Sequence, residues 1–127
     1  MRSFRVRWLV MVGLIVAAVG MTPTASYGDT FRVRALGDSP DNFRWKPRET
    51  HAPKGSRVRW KNRSTVTHHV KSYGGNWSYD KSIAPDEAVS KRFRRTGTFK
   101  FRCDIPGHST LSGGTCSGMC GKVIVHN

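Results

Sequence analysis

Apolar and polar residues alternate along several short segments of this chain. The clearest are residues 30–36, 56–61 and 98–103, where apolar side chains occupy alternate positions between polar or charged ones. A period of two residues is typical of a β-strand with one buried face. No segment shows a sustained helical period. The pattern therefore predicts an all-β protein.

Turn-forming residues separate these strand-like segments. Gly and Pro occur around residues 52–55, 84–87 and 96–97, between runs that fit strands. The predicted strands span residues 30–36, 43–47, 56–61, 65–72, 88–93, 98–103 and 122–126, with loops over 73–80 and 104–118. Many short strands with turns between them favour an antiparallel β-sandwich.

The first 28 residues have a different pattern from the rest. Residues 1–7 are basic, residues 8–20 are almost entirely apolar, and residues 22–28 are mostly small. This order is typical of a Sec-type secretory signal peptide. The apolar run is short for a membrane span of about 20 residues, but an uncleaved N-terminal anchor is the alternative. We therefore predict one exported domain, residues 29–127, in the periplasm, at the cell surface or outside the cell.

The predicted domain is strongly basic. Nineteen of the 22 Lys and Arg residues and all eight acidic residues lie beyond residue 28, which leaves a net charge of +11. Many basic residues alternate with apolar ones, so most fit the solvent-facing side of the sheets, and a dedicated basic patch is the alternative. The charge favours acidic partners and allows peripheral association with an anionic surface. We expect a monomer.

Four candidate metal ligands occur in a characteristic order. Cys103, His108 and Met119 follow one another near the end of the chain, and His68 lies upstream. Two imidazoles, one thiolate and a weak axial thioether are the ligand set of an electron-transfer copper site. A thiolate and a thioether favour Cu(I), and imidazoles suit both copper states.

Strand parity distinguishes between two adjacent histidines. On a strand, His68 and His69 point to opposite faces, and His68 shares its face with Val66 and Val70. His68 is therefore the predicted core-facing ligand. His51 and His126 lie before a turn and at the chain end, and we expect both at the surface.

The three cysteines form an odd number, which needs an explanation in an exported chain. One metal-bound thiolate, Cys103, and one disulfide between Cys116 and Cys120 would account for all three. An oxidising compartment permits such a disulfide. The small ring would stiffen the segment that carries Met119.

Several motifs resemble those of the cupredoxins, the blue copper proteins of the plastocyanin and azurin family. Taken together in order and spacing they cover residues 30–127. The matching pieces are Gly55-x-x-Val58-x-Trp60-x-Asn62, His68-x-Val70, Gly97-Thr-Phe99-x-Phe101-x-Cys103, His108 and Gly118-Met119-x-Gly121-Lys-Val123-x-Val125.

The resemblance implies a Greek-key sandwich of about eight strands with one type 1 copper ion near one end. It implies that His68, Cys103 and His108 form the trigonal plane, with Met119 as the axial ligand. By the same resemblance His108 would be the electron exit, with Ile105, Pro106 and Leu111 as docking contacts. The implied function is one-electron transfer with redox partner proteins.

The chain departs from the family pattern in three respects. Ten residues separate His108 from Met119, many more than usual, and His69 stands where Asn is common. Cys116 and Cys120 are additional. Their spacing resembles the bridging thiolates of the binuclear copper centre of cytochrome oxidase subunit II, but the His and Met expected soon after the second Cys are missing.

Two other classes of function remain open at this point. A copper-handling protein without redox turnover would use the same ligands at an accessible, exchangeable site. The charge and the aromatic residues also fit an anion- or nucleic-acid-binding barrel, although the export signal argues against nucleic acid. Ser109, Ser112 and Ser117 have no base and acid partners for catalysis, so we do not expect an enzyme.

Overall fold

The protein is an all-β sandwich. The computed structural model describes residues 29–127, together with Ile15 and Gly20, so all but two residues of the predicted signal peptide lie outside the described residues. Within residues 29–127 there are eleven strands: β1 (Thr30–Leu36), β2 (Arg44–Lys46), β3 (Glu49–Pro53), β4 (Arg57–Asn62), β5 (His68–Tyr73), β6 (Asp80–Ile83), β7 (Ala88–Arg92), β8 (Gly97–Arg102), β9 (Ser109–Ser112), β10 (Thr115–Gly118) and β11 (Cys120–His126). In this part of the chain no helix is long and apolar enough to cross a membrane.

Two sheets face each other, and a separate two-stranded hairpin accompanies them. The first sheet has the order β2-β1-β4-β7, and the second has the order β3-β11-β8-β5-β6. Strands β9 and β10 form the hairpin. The pairs β1–β4 and β3–β11 are parallel, and the other pairs are antiparallel. The sandwich expected from the sequence is confirmed, but its sheets are mixed rather than wholly antiparallel.

Four short strands account for the difference between the predicted and the observed strand number. The sequence predicts a loop over all of β9 and β10, a turn over the end of β3 and a loop up to the first residue of β6, and it assigns no element to the rest of β3 and β6. Each of these strands has five residues or fewer, and β9 and β10 are almost entirely exposed. Because β9 and β10 have no buried face, they have no apolar alternation that periodicity could reveal. In β3 the buried residues are Thr50 and Ala52, and in β6 the buried residue is Ile83, so the apolar signal of these two strands is weak.

The core consists of the inward positions of both sheets and is rich in aromatic rings. Phe101 is fully buried and packs edge-on against Trp45 and Trp60, with ring centroids 5.5 and 5.3 Å apart. Edge-to-face contacts at this distance add to the free energy of burying the rings. The two sheets are therefore joined through a continuous aromatic layer.

The register of β8 with its neighbours places three predicted ligands at one end of the sandwich. Arg102, the last residue of β8, pairs with Lys71 on β5 and with Cys120 on β11. The next residue, Cys103, therefore extends toward the start of β5 and the start of β11. His68 is the first residue of β5, and Met119 immediately precedes β11.

Gly121 allows β11 to lie close to the aromatic layer. A Cβ atom at Gly121 would lie 2.5 Å from Cζ of Phe101 and 2.8 Å from its Cε2. We predict that Gly121→Ala lowers the free energy of unfolding by about 1–3 kcal/mol, since a well-packed ring cannot move aside freely. Chemical denaturation of the single variants and of Gly121→Ala/Phe101→Leu measures the effect.

The double variant provides the control, because Leu leaves room for the added methyl group. Its loss of stability should be smaller than the sum of the two single losses. If the loss of the double variant equals the sum of the two single losses to within about 0.5 kcal/mol, the two sites do not interact.

Candidate metal centre

Three of the four predicted ligands converge on one point. The Cys103 Sγ lies 3.3 Å from Nδ1 of His108 and 3.8 Å from Nδ1 of His68. The two Nδ1 atoms are 3.2 Å apart. All three atoms lie within 4.8 Å of one another, as donors to a single ion require. Among the described residues, these three side chains form the group of His, Cys, Asp or Glu residues whose ligand atoms lie close enough together to hold a metal ion.

Strand parity and burial place the two inner donors. His68 and Cys103 are fully buried, whereas His69 is half-buried on the opposite face. The prediction that His68 faces the core is therefore confirmed. His108 is half-buried and follows the turn at Pro106 and Gly107, where the His108 N–H donates to the Ile105 carbonyl at 3.0 Å. This turn returns the imidazole to the sulfur.

A hydrogen-bond chain favours one tautomer of His68. The Ser64 hydroxyl has one proton, and it faces the Asn62 Oδ1 at 2.7 Å and the Val66 carbonyl at 3.0 Å. When that proton is directed to either oxygen, Ser64 Oγ accepts from Nε2–H of His68, 2.8 Å away. In the neutral ring this leaves the Nδ1 lone pair facing Cys103.

Burial favours the uncharged form of all three groups in the metal-free protein. Desolvation, with a smaller contribution from His108, lowers the pKa of His68 to about 4. Desolvation also lowers the pKa of His108 and raises the pKa of the Cys103 thiol. The backbone N–H groups of Ile105 and His69 partly oppose that rise, since both favour the thiolate. A bound cation would further stabilise the thiolate.

Aromatic rings enclose the site. The Phe43 ring packs against His68 with centroids 4.9 Å apart and against His108 with centroids 4.5 Å apart. Trp45 lies on the other side of His68 at 6.3 Å. These contacts hold both imidazoles in place and exclude water from the inner donors. Sequence periodicity places Phe43 and Trp45 in a predicted strand, but it does not indicate that their rings line the site.

Met119 is attached through its main chain to the other two ligand segments. The Met119 N–H donates to the His108 carbonyl at 2.9 Å, and the Met119 carbonyl accepts from the Cys103 N–H at 3.0 Å. The Trp45 indole N–H also donates to the Met119 carbonyl at 3.2 Å. The Met119 side chain is fully buried in the same core cluster as Cys103. The axial ligand role of Met119 remains a prediction.

The ten residues between His108 and Met119 form the β9–β10 hairpin, and this explains how so long an insertion leaves the two segments adjacent. The base of the hairpin pairs Ser109 with Gly118. Gly118 has φ +90°, and a Cβ atom there would lie 2.7 Å from the His108 carbonyl oxygen. Only glycine allows this close approach in a left-handed conformation.

A disulfide joins the hairpin to the last strand. Cys116 in β10 is bonded to Cys120 at the start of β11, and Cys103 is the free cysteine among the described residues. The pairing expected from the odd cysteine count is therefore present. It also removes both sulfurs from the set of free thiolates, so they cannot bridge a binuclear copper centre.

His69 connects the two ligand-bearing segments from the outside of the sheet. Its backbone N–H donates to the Cys103 Sγ at 3.3 Å, and its ring nitrogens contact the carboxylates of Asp104 and Asp80. Asp104 directly follows Cys103, so the imidazole ties the start of β5 to the loop after β8. An imidazole bridge therefore occupies the position after the first candidate ligand. The sequence shows His69 at this position but not its acidic partners.

The two other histidines lie apart from this cluster, as the sequence predicts. His51 and His126 are exposed, and their rings stack with centroids 5.4 Å apart. His51 also contacts Glu49 at 2.6 Å. They occupy adjacent positions at the β3–β11 edge of the second sheet.

Comparison with solved structures finds the same architecture in copper proteins. A purple cupredoxin from Nitrosopumilus maritimus superposes with a TM-score of 0.60 at 17% identity and covers 75% of this chain and 98% of its own. A reduced proline-to-phenylalanine mutant of amicyanin has a TM-score of 0.59 at 22% identity, with 76% and 82% coverage. The reduced Cu(I) form at pH 4 of a proline-to-glycine mutant of amicyanin has a TM-score of 0.57 at 22% identity, with 82% and 87% coverage.

These similarities show the fold. Comparison with protein-family models finds no match, and comparison with curated protein sequences finds none. The chain has the cupredoxin fold, as the sequence motifs predict, and its converging Cys and His side chains fit that fold.

The disulfide makes a direct chemical prediction. Unfolded, metal-free protein should react with one equivalent of a thiol reagent, because only Cys103 is free. Reduction should raise the count to three and lower stability by about 2 kcal/mol, as expected for a loop of this size in the chain-entropy account. Three reactive thiols before reduction would contradict the pairing.

The pKa of His68 predicts a pH dependence for the metal-free protein. The unfolded chain protonates this ring near pH 6.5, whereas the folded protein resists protonation down to about pH 4. The unfolded state therefore binds more protons between these values. The free energy of unfolding should fall by ~3 kcal/mol as pH falls through this window.

Urea unfolding at several pH values measures that slope. His68→Gln should make it shallower, since Gln does not titrate. Equal slopes in His68→Gln and the parent protein would show that another group is responsible.

Proposed function

We propose that this protein is a type 1 copper protein that carries one electron at a time outside the cytoplasmic membrane. The observation that supports the proposal best is the convergence of Cys103 Sγ with the Nδ1 atoms of His68 and His108 inside an aromatic enclosure. Two imidazoles and one thiolate are the equatorial donors of blue copper sites.

The donor set fits copper better than the common structural metal in proteins. Structural zinc sites take four Cys or His ligands in a closed tetrahedron, whereas this cluster contains three such side chains. The fully buried thioether-bearing residue nearby is Met119, and a thioether is a soft ligand that suits Cu(I). Copper, when bound, would supply a Cu(II)/Cu(I) couple at the sulfur of Cys103.

The protein supplies rigidity and electrostatic tuning. His68 is held by Ser64 on one side and by Phe43 on the other. The His69 N–H donates to Cys103 Sγ and withdraws electron density from the thiolate. Hydrogen bonds to ligand atoms tune the potential of a metal centre. When the ligands of a metal move little between its two oxidation states, the reorganisation energy of electron transfer is small.

His108 is the proposed path for the electron. Unlike His68 and Cys103, it is half-buried. The exposed Pro106 and the half-buried Ile105 belong to the turn that precedes it, and Leu111, which is 38% exposed, lies in β9 just after it in the chain. We propose that a redox partner docks on this apolar rim. The net charge of the domain would accelerate encounter with acidic partners, and salt would weaken that effect.

The burial of the site favours an electron carrier over a copper-handling protein without redox turnover. Rapid metal exchange needs donors that a chelator can reach, but Cys103 and His68 are fully enclosed. Rapid loss of copper to a competing chelator, without reduction by a cytochrome-type donor, would favour the handling function instead.

Copper titration tests the proposal. We expect Cu(II) to give an intense visible band from the thiolate, which Cys103→Ser abolishes and Met119→Leu shifts. His51→Ala serves as the matched control, because this imidazole lies outside the cluster, and it should leave the band unchanged. A weakly coloured or colourless adduct would exclude a type 1 site.

A further inference from the structure

The outer surface of the first sheet carries a dense array of positive charge. We call it the basic face, and it consists of outward-facing strand residues together with one residue that follows β4. Its members are Arg32, Arg34, Arg44, Lys46, Arg57, Arg59, Lys61, Arg92 and Arg63. At the outward strand positions of this sheet, all of which are described, there is no acidic residue.

Cations lie directly opposite one another across the strands. Arg32 pairs with Arg59, Arg34 pairs with both Lys61 and Lys46, and Arg57 pairs with Arg92. Like charges directly opposite each other destabilise a sheet. Solvent exposure requires polar residues there but not residues of one sign, so alternation alone does not explain the basic face.

The second sheet shows that this charge is local. Its outer surface carries four cations, and two of them are neutralised on the same surface. Lys122 contacts Glu49 at 3.2 Å, and Lys71 contacts Asp80 at 3.0 Å. On the basic face the carboxylate of Asp86, in the loop before β7, lies 3.5 Å from Lys61 and 3.9 Å from Arg63. The positive charge is therefore concentrated on one side of the sandwich.

We propose that the basic face binds the headgroups of anionic phospholipids and holds the protein flat against a membrane surface. The face is broad and even, about 20 Å along the strands and about 15 Å across them. A lipid surface presents negative charge over such an area, and juxtaposed Lys and Arg side chains suffice to bind it. Arg32, Arg34, Arg59, Lys61 and Arg63 also line one shallow groove that suits a phosphate group.

The composition of the basic face argues against two other occupants, a different protein and a second copy of this chain. Protein interfaces are centred on aromatic or apolar residues, but the uncharged outward strand positions here are Thr30, Leu36, Ala88 and Ser90. A second copy of this chain would bring two surfaces of the same sign together. Charge complementarity therefore selects an anionic surface.

Binding on this face leaves the candidate metal centre accessible. His68 begins β5, Cys103 and His108 follow β8, and Met119 directly precedes β11. All three of these strands belong to the second sheet. The basic face lies on the other sheet. The protein can thus associate with a membrane through one side while His108 remains free to meet a soluble or membrane-bound partner.

Vesicle sedimentation of the copper-loaded protein, as processed by the exporting cell, tests this proposal. The vesicles are phosphatidylcholine alone, or one part phosphatidylglycerol to two parts phosphatidylcholine, at low and high salt. We expect binding to the phosphatidylglycerol vesicles at low salt and its loss at high salt. An uncleaved apolar anchor would bind both kinds of vesicle at either salt concentration, so equal binding to both would overturn the proposal.

Two triple variants with the same change in net charge locate the binding surface. Arg32→Gln/Arg34→Gln/Arg59→Gln should weaken binding roughly a hundredfold, at about fivefold for each cation. Lys54→Gln/Arg94→Gln/Lys100→Gln lies outside the basic face and should weaken binding much less. Visible spectra and melting temperatures confirm that both variants remain folded.

Equal losses in the two variants would show that net charge, and not the basic face, drives binding, and would overturn the proposal. Binding to a soluble polyanion such as heparin, with none to phosphatidylglycerol vesicles, would also overturn it and would identify a polymeric partner. Neither result would bear on the copper spectrum, so the proposed electron carrier is tested separately.

Discussion

Strand β8 is hydrogen-bonded to β5 along one edge and to β11 along the other, and this register determines where the candidate ligands lie. A shift of one residue in either pairing would turn His68 or Cys103 to the opposite face of the sheet. The aromatic layer around Phe101 resists such a shift, because the same register buries its ring between Trp45 and Trp60. Core packing and site geometry thus depend on one set of strand contacts.

The hairpin β9–β10 shows how an insertion can lengthen a ligand loop without displacing the ligands. The chain leaves at His108, forms an exposed hairpin and returns at Met119, where backbone hydrogen bonds rejoin the two segments. The disulfide between Cys116 and Cys120 then ties the returning strand to β11. Loop length along the sequence is therefore a poor guide to distance in space when the loop pairs with itself.

The two sheets divide the proposed functions between them. The second sheet carries the ligand segments, and its surface charges are partly neutralised by ion pairs. The first sheet carries cations that lie directly opposite one another, at the expense of repulsion between neighbours. A single β-sandwich has room for both because each strand contributes alternate residues to the core and to the outside.

The sequence by itself determined the all-β class, most long strands and the orientation of His68, because each depends on a local period of two residues. It also indicated the disulfide through the odd cysteine count. Only the tertiary structure decided the parallel pairs, the four short strands and the contacts of His69 with Asp80 and Asp104. The concentration of Lys and Arg side chains on the basic face of the first sheet is likewise visible only in the tertiary structure. These features join residues far apart in the chain, and no local pattern encodes which distant strands become neighbours.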